Sequence, residues 1–168
     1  TVIDEAATIA GDFRIDAAGH SRFAVFVGAD TGKRRVGRIV QRLCEIEIYK
    51  SMSMLGLSRV RDMGNRLNEI EQSLTDLMED MAQQSASAEV TLSQLLEVSA
   101  ELENMAAQGS FRFGATGAYE AIVNQRIEVL REVRFGGRQT FSEFMMRRYD
   151  PAMRTVKSAE SRMNALSA

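Results

Sequence analysis

The sequence predicts a mainly α-helical bundle with a long antiparallel helical hairpin arm and a short amino-terminal β-hairpin. Among 168 residues, proline occurs once, as Pro151, and tryptophan does not occur. Methionine, leucine, glutamate and arginine are frequent, and these residues favour helices over strands. Apolar residues also recur at intervals of three and four along most of the chain, which is the period of a helix with one apolar face.

Composition predicts a single soluble domain over residues 1–168. The chain is 45% hydrophobic and 26% charged, which is typical of a globular domain. The one cysteine, Cys44, excludes an internal disulfide, and a single histidine, His20, leaves no set of soft ligands for zinc. We therefore expect a reducing compartment. The longest uncharged apolar run, Phe23 to Ala29, is far shorter than the roughly 20 residues that cross a bilayer.

The first element is a β-hairpin at about 12–27. Phe13 to Ile15 and Phe23 to Val27 are β-prone runs, and Gly19 lies in the turn region between them, beside His20. Two strands alone are marginally stable in water, so this hairpin must pack on the helices or pair with further strands.

Three helices follow. Helix A, at 33–56, is apolar on one face and partly on the others, which predicts a central element with Cys44 in the core. Gly56 and an N-cap at Ser58 separate it from helix B, at 58–84, whose seam keeps a heptad spacing. Helix C, at 87–108, has Ser87 as its cap and a second seam. The apolar sets are Val36, Ile39, Val40, Leu43 and Ile46 for A; Val60, Met63, Leu67, Ile70, Leu74, Leu77 and Met81 for B; and Leu92, Leu95, Leu102 and Met105 for C.

The short link between helices B and C predicts an arm. Both seams can be buried only if the two helices fold back on each other, as an antiparallel pair roughly 30 Å long at 1.5 Å per residue.

Residues 109–114 interrupt the pattern before three further helices. Helix D, at 116–134, points Tyr119, Ile122, Val123, Ile127, Leu130 and Val133 inward. Helix E, at 140–149, starts at a capping box formed by Thr140 and Glu143. Helix F, at 151–168, starts from Asp150 as N-cap and Pro151 as its first residue. Its apolar stripe, Met153, Val156, Met163 and Leu166, has not ended where the sequence stops, which predicts a fragment of a longer polypeptide.

Charge is unevenly distributed along the chain. The formal net charge is −2, but residues 1–57 carry +1, residues 58–110 carry −7 and residues 111–168 carry +4. The acidic middle third would repel a phosphate backbone, so we expect no nucleic acid as a partner there. The outer thirds could attract an anionic partner.

A glycine loop between the hairpin and helix A resembles a phosphate-binding loop. A phosphate-binding loop needs four residues between its glycines and a Ser or Thr after its lysine. Here three residues separate Gly28 from Gly32, and Arg34 follows Lys33. The spacing therefore favours a plain turn from strand to helix.

The first turns of helix A carry a basic strip, Lys33, Arg34, Arg35, Arg38 and Arg42. Positive charge at this end opposes the helix dipole, so something should compensate it. One interpretation is pairing with the nearby carboxylates Asp30 and Glu45. The other is contact with an anionic partner such as lipid headgroups at a membrane surface.

Three charged residues lie on apolar helix faces. Glu47 and Lys50 fall on the apolar face of helix A, and Arg126 falls among the inward residues of helix D. Because isolated buried charges are costly, they should pair. We predict a structural ion pair between Glu47 and Arg126, with Lys50 able to compete.

The carboxylates of the arm are weak metal candidates. Asp76 and Asp80 of helix B could contribute to a site for magnesium or calcium, but most acidic residues of the arm lie off the seam, which favours a solvated face. The sequence offers no pair of nucleophile and base, so we predict no catalytic residues and no cofactor.

Four stretches resemble a known family: Thr31 to Lys50, Tyr119 to Arg131, Gln139 to Phe144 and Pro151 to Thr155. In them the chain resembles uncharacterised bacterial membrane-anchored proteins, over nearly its whole length. The family has arginine where Lys50 stands and a proline near Ser58. The resemblance implies a longer protein with a hydrophobic carboxy-terminal anchor and a soluble segment, expected in the cytoplasm. It implies no activity.

Two functions of different classes follow. The leading hypothesis is a non-enzymatic scaffold or interaction domain of a membrane-anchored bacterial protein, which self-associates or binds a protein partner through its arm and charged faces. The alternative is a cation-sensing domain, because the acidic helical arm and anchored long helix resemble the soluble part of CorA-type magnesium channels. A hydrolytic enzyme lacks candidate residues for a cleft of convergent titratable groups.

Overall fold

The computed structural model describes residues 1–83 and 87–167. Two strands, β1 (Ala7–Ile15) and β2 (Ser21–Val27), precede four helices: α1 (Lys33–Gln83), α2 (Ala88–Val129), α3 (Phe141–Arg148) and α4 (Asp150–Leu166). The predicted fold class is confirmed: the chain is mainly helical, with an amino-terminal antiparallel β-hairpin and two long helices that pack against each other.

Contacts divide the chain into two compact units. Unit 1 comprises Thr1–Ser51 and Glu120–Asp150, and unit 2 comprises Met52–Tyr119 and Pro151–Ala168. Segments of α1 and α2 contribute to both. Each unit has buried apolar residues of its own, such as Ile39, Ile46, Val123 and Leu130 in unit 1 and Leu67, Ile70, Leu102 and Met153 in unit 2. The single domain that composition predicts stays a prediction.

The hairpin of unit 1 is longer than predicted. β1 begins at Ala7 rather than near residue 12, and its register runs from Ala7 opposite Val27 to Gly11 opposite Phe23. On its other edge, Val2 exchanges two backbone hydrogen bonds with Ala7, at 2.8 and 3.4 Å. The early part of β1, Ala7 to Gly11, consists mostly of small residues, and Ala7 pairs with Val27 on one side and with Val2 on the other.

Phe13 lies where the register of the hairpin becomes irregular, between Gly11 and Ile15. Its φ of 52° is in the left-handed region, which is strained for a bulky residue. The Phe13 ring stacks on Phe144 at 4.1 Å between centroids and meets Phe141 edge to face at 4.8 Å. Aromatic packing therefore holds the strained backbone and fixes the hairpin on α3.

The start of α3 is capped twice. The predicted capping box is present, because the Thr140 hydroxyl accepts the Glu143 N–H and the Glu143 carboxylate accepts the Thr140 N–H. In addition, the Glu132 carboxylate accepts the N–H groups of Phe141 and Ser142, both at 2.8 Å. α4 begins at Asp150, so this residue is the first of the helix rather than its N-cap.

The predicted breaks within the long helices are wrong. Helices A and B form one continuous helix, α1, and helices C and D form one continuous helix, α2. A glycine inside a helix costs about 1 kcal/mol relative to alanine, which packing can outweigh. Gly56 is buried against Thr116, so it marks a close approach of two helices rather than a corner. Gly109 likewise lies under the Phe113 ring.

The antiparallel arm of unit 2 is confirmed. Arg59 donates to Gln108 at 2.8 Å and Arg66 contacts Glu101, so residue numbers rise along α1 as they fall along α2. Several predicted seam residues are buried, namely Leu67, Ile70, Leu77, Leu102 and Met105. Ser87 caps α2 through a 3.4 Å bond from the Val90 N–H. Residues 84–86 of the predicted link, and Ala168 of helix F, lie outside the described residues.

Leu92 and Val133, which the sequence predicts to point inward, are exposed. Leu92 is 58% exposed while its neighbour Thr91 is 6% exposed, because the stripe of α2 that turns away from solvent follows residues 91, 95, 98, 102 and 105. Val133 is exposed because α2 ends at Val129 and the chain turns at Arg131, whose φ is 48°.

Predicted core positions of α1 are exposed as well. Met81 is exposed near the end of the helix. Val40 and Cys44 are exposed near its beginning. In this first part of α1 the buried face is the one that carries Ile39 and Ile46, which are both fully buried. The expectation that Cys44 lies in the core is therefore wrong.

We expect Gly56→Ala to destabilise the protein. The new methyl group would meet the Thr116 side chain, with Cγ2 only 3.0 Å from the ideal Cβ position, and overpacking of this kind costs about 1–3 kcal/mol. The matched control is Gly64→Ala in the same helix, where no atom lies within 4 Å of the new methyl. That variant should gain about 0.5–1 kcal/mol from helix propensity. Urea unfolding measures both, and a G56A variant as stable as wild type would contradict the close contact.

Candidate functional site

The predicted ion pair between Glu47 and Arg126 is wrong, but the competition by Lys50 that is predicted with it does occur. Arg126 binds Glu45, and Glu47 binds Lys50 at 2.6 Å, one turn further along α1. Lys50 lies on the same helix as Glu47, so their contact does not depend on how α2 is rotated against α1. This explains why Glu47 pairs with Lys50 rather than with Arg126. The Glu45–Arg126 contact joins α1 to α2 within unit 1. A hydrogen bond from Gln41, opposed by partial desolvation and reinforced by Arg126, lowers the pKa of Glu45.

The basic strip at the start of α1 is solvent-facing. Arg42 donates to the Val129 carbonyl at 3.5 Å. The other four members, Lys33, Arg34, Arg35 and Arg38, are exposed and have no ion pair within residues 1–83 and 87–167. The expected compensation by Asp30 and Glu45 does not occur for them: Glu45 binds Arg126, and Asp30 forms no ion pair with the strip in the described part of the chain. Beside this strip, Val40, Cys44 and Ile48 recur every fourth residue and are exposed, forming an outward apolar stripe.

The glycine loop is a turn between elements, as its spacing predicts. β2 ends at Val27 and α1 begins at Lys33. Within the turn, the Thr31 N–H donates to the Gly28 carbonyl at 3.0 Å and the Thr31 hydroxyl donates to the Ala6 carbonyl at 3.1 Å. These bonds fix the loop against the start of β1.

The candidate metal ligands are not brought together with others. In the described part of the chain, no group of three His, Cys, Asp or Glu side chains is arranged to hold a metal ion. The Asp76 carboxylate accepts a hydrogen bond from Gln72 at 2.8 Å, and Asp80 stands one turn further along α1. Nothing in the structure or in the comparisons supports the CorA-like alternative.

Ion pairs of two arginines, Arg66 and Arg162, connect the helices of unit 2. Arg66 binds Glu101 of α2 and Glu69 of its own helix, and Arg162 of α4 binds Glu71. The hydrogen bond from Arg66 is the main reason that the pKa of Glu101 is lowered, and the bond from Arg162 lowers the pKa of Glu71 in the same way. These pairs tie α1, α2 and α4 to one another.

Beyond these pairs lies the arm end, which we define as residues 76–83 of α1 and 88–97 of α2. It contains acidic residues and no basic ones, since no Lys, Arg or His stands between Arg66 and Arg112. It also exposes large apolar side chains, with Met78 at 70%, Leu96 at 63% and Leu92 at 58%. Exposed apolar groups ringed by charge are typical of a protein interaction surface.

A concave surface lies in unit 1. We call it the aromatic cleft: a cavity of about 740 Å³ between β1 and residues 130–144. Its apolar lining includes Phe13, Phe26, Phe135, Phe141 and Phe144. Arg134 and Arg138 lie among its polar lining residues, and Arg134 binds Glu143. Sequence reasoning missed the cleft because its walls are distant in the chain; the only local signal was the recurrence of phenylalanine in 13–26 and 135–144.

A family model described as a protein of unknown function (DUF3422) matches residues 1–168. No curated protein and no solved structure matches the chain. Among the described residues, none of the helices combines the length and the apolar character that crossing a bilayer requires.

We expect Arg66→Gln to weaken stability more at neutral pH than in acid. Arg66 lowers the pKa of Glu101 below 4.5, so this pairing stabilises the fold above the unfolded pKa and is lost as the pH falls through the lower folded pKa. The difference in melting temperature between wild type and R66Q should therefore shrink below about pH 4. Arg61→Gln, at an exposed arginine without an ion pair in the described part of the chain, is the control. A gap that is the same at pH 7 and pH 3 would contradict the pairing.

Proposed function

Since the chain belongs to this family of unknown function, we propose its role from the structure: it is a non-enzymatic interaction domain whose arm end binds a basic amphipathic helix of a partner protein. One observation carries the proposal. The arm end combines exposed leucine and methionine with an entirely acidic set of charges.

The outer face of α2 has the spacing of a helix-binding surface. Leu92 and Leu96 stand four residues apart, Ala100 continues the same interval just past the arm end, and all three are exposed. These positions lie away from the buried stripe of the same helix, so α2 has one apolar stripe packed on α1 and a second one facing solvent. A partner helix can cover such a stripe with residues spaced in the same way. Met78 and Met81 of α1 add flexible, polarisable side chains that adapt to a partner.

The negative charge of the arm end indicates which kind of partner helix it would bind. Glu79, Glu89 and Glu97 are exposed on the arm end and form no ion pair within the described residues. A partner that places lysine or arginine beside its apolar stripe would complement them, speeding association and excluding acidic competitors. The same charge opposes the contact of two arms from two copies, because residues 58–110 carry −7. We therefore propose a different protein as the partner rather than arm-to-arm self-association.

A designed peptide tests the arm end. The probe is a helical peptide of about three heptads with leucine at its seam and lysine on its flanks. Fluorescence anisotropy should detect binding that weakens as salt is added. Leu92→Ser with Leu96→Ser should weaken binding roughly tenfold or more, because exposed anchors in an interface contribute more than about 1 kcal/mol.

The control substitution is Phe111→Ser, at an exposed apolar residue of α2 outside the arm end. It should leave the affinity unchanged, and circular dichroism should show that all variants keep their helices. The proposal is wrong if the double serine variant binds as wild type does, or if a peptide with glutamate in place of lysine binds equally well. Analytical ultracentrifugation that finds dimers formed through the arm would also contradict it.

A second surface supports a location. We propose that the basic strip contacts an anionic lipid surface, which agrees with the cytoplasmic, membrane-anchored location that the resemblance implies. Four exposed arginine and lysine residues without ion pairs in the described part of the chain stand beside exposed Val40 and Ile48. Basic clusters near a membrane gain about 1 kcal/mol per charge from anionic lipids.

Vesicle sedimentation tests this contact. The protein should sediment with vesicles that contain phosphatidylglycerol and not with vesicles of phosphatidylcholine alone. Exchanging Arg34, Arg35 and Arg38 for glutamine should abolish sedimentation. Exchanging Arg61, Arg147 and Arg154, which are also exposed, removes the same charge elsewhere and should have little effect. Equal losses in the two triple variants would show a response to net charge alone and would refute the strip.

A further inference from the structure

The outer edge of β1 has unpaired backbone groups in the aromatic cleft. In an antiparallel sheet, successive residues of a strand direct their N–H and C=O groups to opposite neighbours. On the edge of β1 that faces away from β2, Val2 forms hydrogen bonds with both the N–H and the C=O of Ala7. Ile9 and Gly11, two and four residues further along, therefore direct their groups to that same outer edge.

These groups have no partner among the described residues. Val2 covers the edge only at Ala7, and neither Ile9 nor Gly11 has a further backbone or side-chain hydrogen bond outside the hairpin. Both residues line the cleft. Unpaired strand edges are templates for another strand, and proteins generally cover or charge them.

The cleft has the dimensions and lining for an extended peptide. Its volume of about 740 Å³ falls in the range of binding sites for ligands of this size. The Phe13 ring packs on both Phe141 and Phe144, which line the same cleft as Ile9 and Gly11. A strand that pairs with Ile9 and Gly11 would present every second side chain to this aromatic wall.

The charged residues of the lining are not equally available: the Asp12 and Glu132 carboxylates already accept backbone N–H groups, whereas Arg138, among the described residues, offers a free cation to a peptide. Its side chain is exposed in the lining of the cleft and forms no ion pair in the part of the chain that the structure describes. Arg134, in contrast, is occupied by Glu143. A carboxylate on the incoming segment would pair with Arg138 without displacing an existing partner.

We propose that the aromatic cleft binds an extended segment of a partner protein, with alternating apolar residues and one acidic residue, as a third strand on β1. The segment pairs with the backbone of Ile9 and Gly11 and places its carboxylate at Arg138. Main-chain bonds supply the affinity, and the aromatic wall and Arg138 supply the selectivity. This surface is separate from the arm end, and it neither requires nor supports a partner there.

Nuclear magnetic resonance tests the strand directly. The probe is the blocked pentapeptide Val-Thr-Val-Glu-Val, added to labelled protein. The amide protons of Ile9 and Gly11 should shift and become protected from exchange with deuterium, while those of Thr8 and Ala10, which face β2, should change little. The same peptide with N-methyl groups on alternate residues cannot complete the ladder and should not bind.

Two proline variants provide a matched pair. Ile9→Pro removes an outward N–H and should weaken binding roughly tenfold or more. Val25→Pro, at the residue opposite Ile9 in the register, removes the corresponding N–H on the far edge of β2 and should leave binding unchanged. Arg138→Gln should weaken binding of the glutamate peptide and not of its glutamine analogue. Unchanged Ile9 and Gly11 amides at millimolar peptide, or equal losses in both proline variants, would overturn the proposal; the N-methyl comparison decides it if either variant fails to fold.

Discussion

Antiparallel pairing of α1 with α2 is the interaction on which both units depend. In unit 1 it accompanies the burial of Ile39, Ile46 and Val123 and supports the Glu45–Arg126 ion pair. In unit 2 it buries the seam and brings Gly56 against Thr116. A helix whose apolar stripe lacks a partner exposes that stripe to water, so neither helix would keep its present form alone. The hairpin and α3 belong to unit 1 and all of α4 after Asp150 belongs to unit 2, so each unit contains part of this helix pair together with shorter elements.

Features encoded locally could be predicted, and features set by helix rotation could not. The heptad steps from Val60 to Leu77 and the capping box at Thr140 need only neighbouring residues, so the arm and α3 are confirmed. Gly56 is ambiguous in sequence, since the same residue permits a corner or a tight helix contact. Likewise, whether Arg126 meets Glu45 or Glu47 depends on a rotation of α1 that no spacing rule specifies, and a small rotation of α2 exchanges Leu92 for Thr91 in the seam.

The aromatic cleft shows a different reason for failure. Its walls come from opposite parts of unit 1, and residues 1–3 link them by pairing with both Ala7 and Leu130. Such contacts leave no periodic trace in the sequence. The conformation of Phe13 is equally hidden, because a phenylalanine in the left-handed region is unfavourable locally and persists only through its ring contacts. Phe13, whose backbone is in the left-handed region, thus lines the aromatic cleft, which the sequence did not predict.

The absence of basic residues between Arg66 and Arg112 also decides how this protein responds to proteases. Trypsin cuts after lysine and arginine, so it has no cleavage site anywhere along the outer arm, whether the helices there are closed or frayed. Tryptic cleavage would therefore detect local unfolding near Arg66 or Arg112 but not in the segment between them. An endoprotease specific for glutamate, by contrast, would find sites at Glu79, Glu89 and Glu97 and would reveal local unfolding of this segment.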